Sequence, residues 1–423
     1  MKRRNFVLVA LWSALTVALS GPVAGLAAGG GDEWIGTWTA SPQPVWEADF
    51  LAPVKVPRNL WNQTIRQIAS VSVGGKRVRV VLSNEYGTLP LRIGAAQVAL
   101  AGKGSSIVEA SGKALTFGGR ASVVIPPGAP VVSDPVDLSV APLGSVAVSL
   151  FLPDVTPVTT FHWDARQTTY IVAGDKVGAT DFKADSTVTS RILLSEILVD
   201  RPANARAIVT FGDSITDGDS STVDANHRWP DVLARRLAEA GGTPVAVQNQ
   251  GISGARVLTD RMGVNALARF DRDVLSHPYV DTVILMMGIN DIGWPDSILA
   301  PNDRAPSVDD IIAGYQQLIT RAHLHEMRIL GATLTPFEDT FQGSPLEGYY
   351  NPSKEQKRLA INKWIRQSGA FDGVLDFDAV VRDPNRPAHV QAVYDAGDHL
   401  HPNDAGYKAM AESIDLQLLT GKH

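Results

Sequence analysis

The chain has 423 residues, of which 44% are hydrophobic and 19% charged, with a formal charge of −6 and no cysteine. This length accommodates two domains, and the composition is that of a globular protein with a sizeable core. The acidic balance argues against a nucleic-acid partner or an anionic membrane surface, and the lack of cysteine excludes a thiol nucleophile and any zinc site built on thiolates.

Lys2, Arg3 and Arg4 precede an apolar run over residues 6–19, with Gly25 and Ala27 at signal-peptidase spacing. This pattern predicts a signal peptide over residues 1–27 and a secreted or periplasmic product. The apolar run is shorter than a membrane span requires, so no stable membrane anchor is expected after cleavage. Removing residues 1–27, which hold three cations and no acid, takes the formal charge from −6 to −9.

Residues 34–200 read as all-β. Residues 65–73 and 77–82 are β-branched runs flanking Gly74-Gly75, which predicts a hairpin. Residues 91–100 and 145–152 read as further strands, separated by clusters such as Pro126-Pro127-Gly128. The expectation is a β-sandwich, jelly-roll-like accessory domain. It holds Trp38, Trp46, Trp61, Phe161, His162 and Trp163. Exposed aromatics would make a sugar platform; the expected place for these is the core or the seam between domains.

From residue 205 to the end, strand-like and helical runs alternate. Strands are predicted at 207–211, 245–247, 281–287, 328–334 and 373–377. Helices are predicted at 229–240, stopped by Gly241-Gly242, from Ser307 with Asp310 as a capping box, from Ser353 with Gln356, and from Asn403. Such alternation means a parallel sheet covered by helices on both faces.

Four segments carry the chemistry. Gly212-Asp213-Ser214-Ile215-Thr216 follows the first strand, Asn249-Gln250-Gly251-Ile252-Ser253-Gly254 the second, and Gly288-Ile289-Asn290-Asp291 the third. Asp398-His399-Leu400-His401 lies between the fifth strand and the last helix. Ligands of doubly wound sheets bind beyond the carboxyl ends of the strands, where the first three segments sit and which the fourth can reach. A serine hydroxyl becomes a nucleophile when a neighbouring imidazole takes its proton, and a carboxylate fixes the imidazole tautomer.

In these segments, over residues 205–418, the sequence resembles the SGNH/GDSL hydrolase family. The resemblance implies a flavodoxin-like three-layer α/β/α domain with a catalytic triad of Ser214, Asp398 and His401. It also implies an oxyanion hole of Ser214, Gly251 and Asn290, and no cofactor or metal. Asp213, Asp217 and Asp291 are expected to be structural, and His399 to support the site rather than act as a second base. Gly-x-Ser-x-Gly is absent around Ser214, where Thr216 stands in place of the last glycine, which argues against the separate α/β-hydrolase fold. His323 and His325, two apart on a predicted helix, face different directions and form no metal pair.

The expected reaction is hydrolysis of a carboxylic ester through an acyl-serine. An acylated carbohydrate, such as an acetylated polysaccharide, is one expected substrate class. A lipase, lysophospholipase or acyltransferase on the same triad is the alternative, and a catalytically silent carbohydrate-binding protein is an alternative of another class. The loop over residues 292–307 holds Trp294, expected on the substrate wall near Ser214, with the β-domain packed beside the mouth.

Overall fold

A computed structural model of the chain describes residues 33–46 and 50–420; the expected signal peptide lies outside them. From Trp34 onward the chain forms one compact unit. Its first part is built of antiparallel sheets. One contains Trp34–Thr39, Leu194–Asp200 and Gly75–Ser83, with Pro130–Val132 and Val136–Val140 both paired to the last of these. The other runs through Ser186–Val188, Thr169–Ala173, Gln63–Ser70, Ser145–Leu152, Ala95–Leu100 and Lys113–Ala114. Alternate residues of both, Val78, Val80 and Leu82 from the first and Val146, Val148 and Leu150 from the second, bury their side chains in one core. That is the inward half of the strand period in a sandwich.

The hairpin expected at Gly74-Gly75 does not form. Gln63–Ser70 and Gly75–Ser83 lie in different sheets. A two-residue hairpin of type I′ or II′ needs positive φ at a central residue, and neither glycine has it. Instead a Cβ on Gly74 would stand 2.3 Å from the Val140 carbonyl oxygen. The glycines thus allow a close backbone approach where the chain changes sheets. The expected strand at 91–100 is likewise divided, into Leu91–Ile93 and Ala95–Leu100. Of the aromatic residues, Trp46 packs on Phe50, Phe161 and Trp163 at 5.5–5.9 Å between ring centres. Only Trp61 of the six stands well out, 66% exposed.

The second part is a five-stranded parallel sheet: β1 (Arg206–Gly212), β2 (Val245–Gly251), β3 (Val280–Met286), β4 (Arg328–Ala332) and β5 (Gly373–Leu375). The order is β2-β1-β3-β4-β5, the flavodoxin-like arrangement. Successive side chains of β1 alternate between two cores. Ile208 meets helices α2 (Trp229–Ala240) and α6 (Asp404–Glu412), through Leu233 and Met410. Ala207, Val209 and Phe211 join the core of α4 (Val308–Leu324) and α5 (Pro352–Gln367), through Leu318 and Ile361. The sheet is therefore covered on both faces. Helix α5 starts two residues earlier than expected, because the Asn351 side chain accepts from Lys354 N–H and Pro352 follows it. Ser307 and Asp310 form the expected capping box on α4.

Edge strand β2 is covered by the β-rich part. Thr39 Oγ1 donates to the Asn249 carbonyl, Gln248 Nε2 to the Gly36 carbonyl, and Val247 N–H to Ser72 Oγ. These side-chain bonds occupy groups that an open edge would offer to another strand. Gly212, Gly251 and Met286 lie level across the ends of β1, β2 and β3, so the loops that follow them emerge at one edge.

Candidate active site

Directly beyond β1 the chain turns into the short helix α1 (Ser214–Asp217). A Cβ on Gly212 would stand 2.6 Å from the Met286 carbonyl oxygen, so only glycine fits where β1 and β3 converge. Asp213 caps α1, its carboxylate accepting from Ile215 N–H at 3.1 Å. Ser214 is thereby the first helical residue, its hydroxyl at the sheet's carboxyl edge.

The other end of the site comes from the loop before α6. Asp398 folds this loop with one oxygen, accepting from the backbone N–H of Leu400 at 3.0 Å and of His401 at 2.8 Å. Its second oxygen meets His401 Nδ1 at 2.6 Å. The opposite ring nitrogen, Nε2, lies 2.8 Å from Ser214 Oγ. His399 turns away with φ +61° and bonds Asp395 instead. Ser214, distant in sequence, joins His401 and Asp398 in one serine–imidazole–carboxylate line because an Asx turn at Asp398 aims the ring.

The electrostatics follow from burial and from two carboxylates. Burial alone would lower the pKa of His401, but Asp219, 3.9 Å from Nε2, and Asp398 outweigh it and raise the value to about 9. Burial would raise Asp398, yet the His401 charge and hydrogen bonds hold it down to about 2. Beneath the site, burial pushes Asp213 up to about 7 and Asp291 up to about 6. Asp291 accepts from Val257 and Leu258 N–H at 2.7 and 3.1 Å, so it shapes the loop after β2.

Asn290 sits in the first turn of α3 (Ile289–Gly293). Its amide is oriented without ambiguity. Trp294 Nε1–H and the Tyr349 hydroxyl both donate to Oδ1, at 2.9 and 2.8 Å, and Nδ2 donates to the Ala255 carbonyl at 3.0 Å. Two donors on one end identify that end as oxygen. Nδ2 keeps a second N–H beyond the one used for Ala255.

Two expectations need correction. The Gly251 N–H is occupied by Asn249 Oδ1 at 2.9 Å, while Asn249 Nδ2 holds the Thr216 carbonyl. Gly251 is therefore not available as an oxyanion donor. Three residues on, Gly254 has φ +76°, and among the described residues its N–H has no partner. A Cβ there would stand 2.9 Å from the Trp294 ring. The Ser214 N–H is likewise unpartnered among the described residues. The second correction concerns Trp294. It is 2% exposed, stacked on Phe50 at 5.6 Å and under the Arg256 guanidinium at 4.9 Å. It positions Asn290 rather than presenting a face to substrate.

Further residues support the site that no motif announced. Arg269, fully buried, donates to the carbonyls of Gly212 and Gln250 at 2.9 and 2.8 Å and pairs with Asp273 at 2.7 Å. It pins the ends of β1 and β2 together. The β-rich part reaches the same region: Ser41 Oγ donates to Asp273, and Gln43 Nε2 to the Met262 carbonyl, both at 2.6 Å. His162 meets Asp217 at 3.0 Å, and Asp217 in turn accepts from the N–H and hydroxyl of Ser253, next to Gly254.

Residues 210–409, which contain all of these site residues except those of the β-rich part, match the GDSL-like lipase/acylhydrolase family. Among solved structures, the chain is similar to an aryl esterase of M. smegmatis (19% identity, 51% of this chain and 99% of the other, TM-score 0.39). It is also similar to a carbohydrate acetylesterase of Sinorhizobium meliloti (18%, 51% and 99%, TM-score 0.38). A third likeness is to a GDSL-like lipase of Bacteroides thetaiotaomicron (18%, 51% and 89%, TM-score 0.38). No curated protein matches the chain significantly.

Proposed function

Since residues 210–409 are a GDSL-like lipase/acylhydrolase domain, we propose that the protein is an exported esterase that cleaves carboxylic esters through an acyl-serine on Ser214. The observation that carries this reading is the unbroken hydrogen-bonded line Ser214–His401–Asp398, with distances of 2.8 and 2.6 Å. His401 Nε2 takes the hydroxyl proton as Ser214 Oγ bonds to the substrate carbonyl carbon. Asp398 holds the ring through Nδ1 and stabilises the imidazolium that results. The carbonyl oxygen becomes an oxyanion facing the N–H groups of Ser214 and Gly254 and the remaining N–H of Asn290. Collapse breaks the bond to the leaving oxygen, and His401 returns the proton to it as alcohol. Water, deprotonated by His401, then attacks the acyl-serine and releases the carboxylic acid.

The β-rich part contributes from behind the site, through His162 on Asp217 and Phe50 on Trp294. An acylated polysaccharide is the substrate class to test first against small soluble esters. Export rests on the charged and apolar leader of residues 2–19.

The test is Ser214→Ala in the mature protein, assayed on p-nitrophenyl acetate, longer acyl esters and acetylated xylan. Turnover is expected to fall by several orders of magnitude on every ester the wild type cleaves, with the circular dichroism spectrum unchanged. A variant that keeps more than about a tenth of wild-type turnover would refute the role of Ser214.

A further inference from the structure

Among the described residues, the most deeply buried arginines are Arg66, Arg191, Arg269 and Arg358. Three are held by partners. Arg66 reaches Ser149 Oγ and the carbonyls of Ser105 and Ala179 at 2.6–2.8 Å. Arg269 holds Asp273 and two carbonyls, and Arg358 holds Glu355 and Asp378 at 2.6–2.8 Å. Arg191 is different. It is 1% exposed, yet its buried Nε and Nη1 have no hydrogen-bond partner among the described residues. Its guanidinium lies over the face of Trp38, 5.0 Å from the ring centre.

Arg191 lines a cavity of about 270 Å³ at the seam between the β-rich and α/β parts, together with Trp38, His162, Asp217, Arg228 and Asn249. The other charges there are already matched. Arg228 spends its guanidinium on Asp231, the Ala165 carbonyl and Asn226 Oδ1 at 2.6–2.7 Å. Asp217 is paired with His162, the residue opposite Arg191 in the strand register. Arg191 feels the charges of Asp224 and Asp231 but, among the described residues, bonds to neither, and it borders a space far larger than a single water occupies. A buried cation of this type calls for an anionic partner with hydrogen-bond acceptors.

We propose that this seam cavity is a binding site for a small carboxylate anion, held on the donor edge of Arg191 beside Trp38. The guanidinium is planar, and its adjacent N–H groups match the two oxygens of a carboxylate. The nearby carboxylates of Asp217 and Asp231 disfavour a dianion, so a singly charged ligand fits best. The site is separate from Ser214, which does not line the cavity. Its floor, however, includes Asp217 and Asn249, the residues that hold Ser253 and the Gly251 N–H.

The experiment is an NMR titration of ¹³C-labelled acetate at constant ionic strength, with inorganic phosphate as a second arm, on wild type and Arg191→Met. Saturable broadening of the acetate line is expected in the wild type, and binding at least about tenfold weaker is expected in R191M, the factor expected for loss of a charge-assisted hydrogen bond. Acetate bound at the Ser214 site would persist in R191M, so the difference between the two proteins reports the seam alone. Equal acetate affinity in both proteins, or phosphate binding more tightly than acetate, overturns the proposal. Should R191M fail to fold, wild-type crystals grown in acetate decide the matter. A planar group bridging Arg191 Nε and an adjacent N–H is expected; water alone at that place overturns the site.

Discussion

Asp219 gives the most direct handle on the His401 base. His401 must be neutral to accept the Ser214 proton, and its pKa is raised to about 9. At pH 7 only about one molecule in a hundred then carries the neutral ring, against half at pH 9. The rate constant kcat/KM of the wild type should therefore climb roughly 50-fold from pH 7 to 9, levelling off above that. Asp219, 3.9 Å from Nε2, is the foremost cause that raises the value. At an effective dielectric near 20, a charge pair at that distance interacts by up to about 4 kcal/mol. The Asp219 side chain is 21% exposed, so screening leaves less, on the order of one to two pH units. Asp219→Asn removes the charge while the backbone carbonyl of residue 219 keeps its bond from the Tyr407 hydroxyl. The midpoint should move down by one to two pH units, making the variant roughly ten- to fifty-fold faster than wild type at pH 7 if the intrinsic chemistry is unchanged. A pH-stat assay of phenyl acetate from pH 5 to 10 gives both profiles. A wild-type midpoint near the ordinary imidazole value of ~6.5, unmoved in D219N, would refute the reasoning.

Asn290→Ala should lower kcat by roughly 100- to 1000-fold with KM little changed, because an oxyanion donor acts on charge that forms only in the transition state. Tyr349→Phe keeps Asn290 and removes one of the two donors that orient it, so a milder loss of about two- to twelve-fold in kcat is expected; steady-state kinetics on one ester series compares the two. His162→Leu leaves Asp217 buried without its cationic partner, held only by Ser253 among the described residues, and urea unfolding should show about 3–5 kcal/mol lost. An unchanged midpoint in that last experiment would mean that Asp217 relaxes to water and that the seam does not depend on the pair.

The alternation of apolar strands with amphipathic helices after residue 205 was legible in the chain because the inner parallel strands are buried on both faces and the helices on one. The same local rule placed the capping box of α4 and the C-terminal stop of α2. Short-range chemistry also pointed to Ser214, Asp398 and His401. Asp398 and His401 lie in one turn, and Ser214 and Asn290 follow strands whose carboxyl ends must share an edge. What the tertiary structure alone decided were matters of which atom meets which. Two glycines of one loop look alike in sequence, but the turn made by Asn249 uses the N–H of Gly251, while that of Gly254 has no partner among the described residues. Gly74-Gly75 carries a hairpin signature, yet its strands part into two sheets, since pairing depends on partners far along the chain such as Val136–Val140 and Leu194–Asp200. Trp294 has the composition of a substrate wall and is instead closed over by Phe50. Arg269, Asp219 and His162 matter through contacts spanning tens to more than a hundred residues, for which no local pattern exists. Periodicity and turn chemistry are properties of neighbouring residues; the pairing of buried polar atoms is a property of the assembled interior.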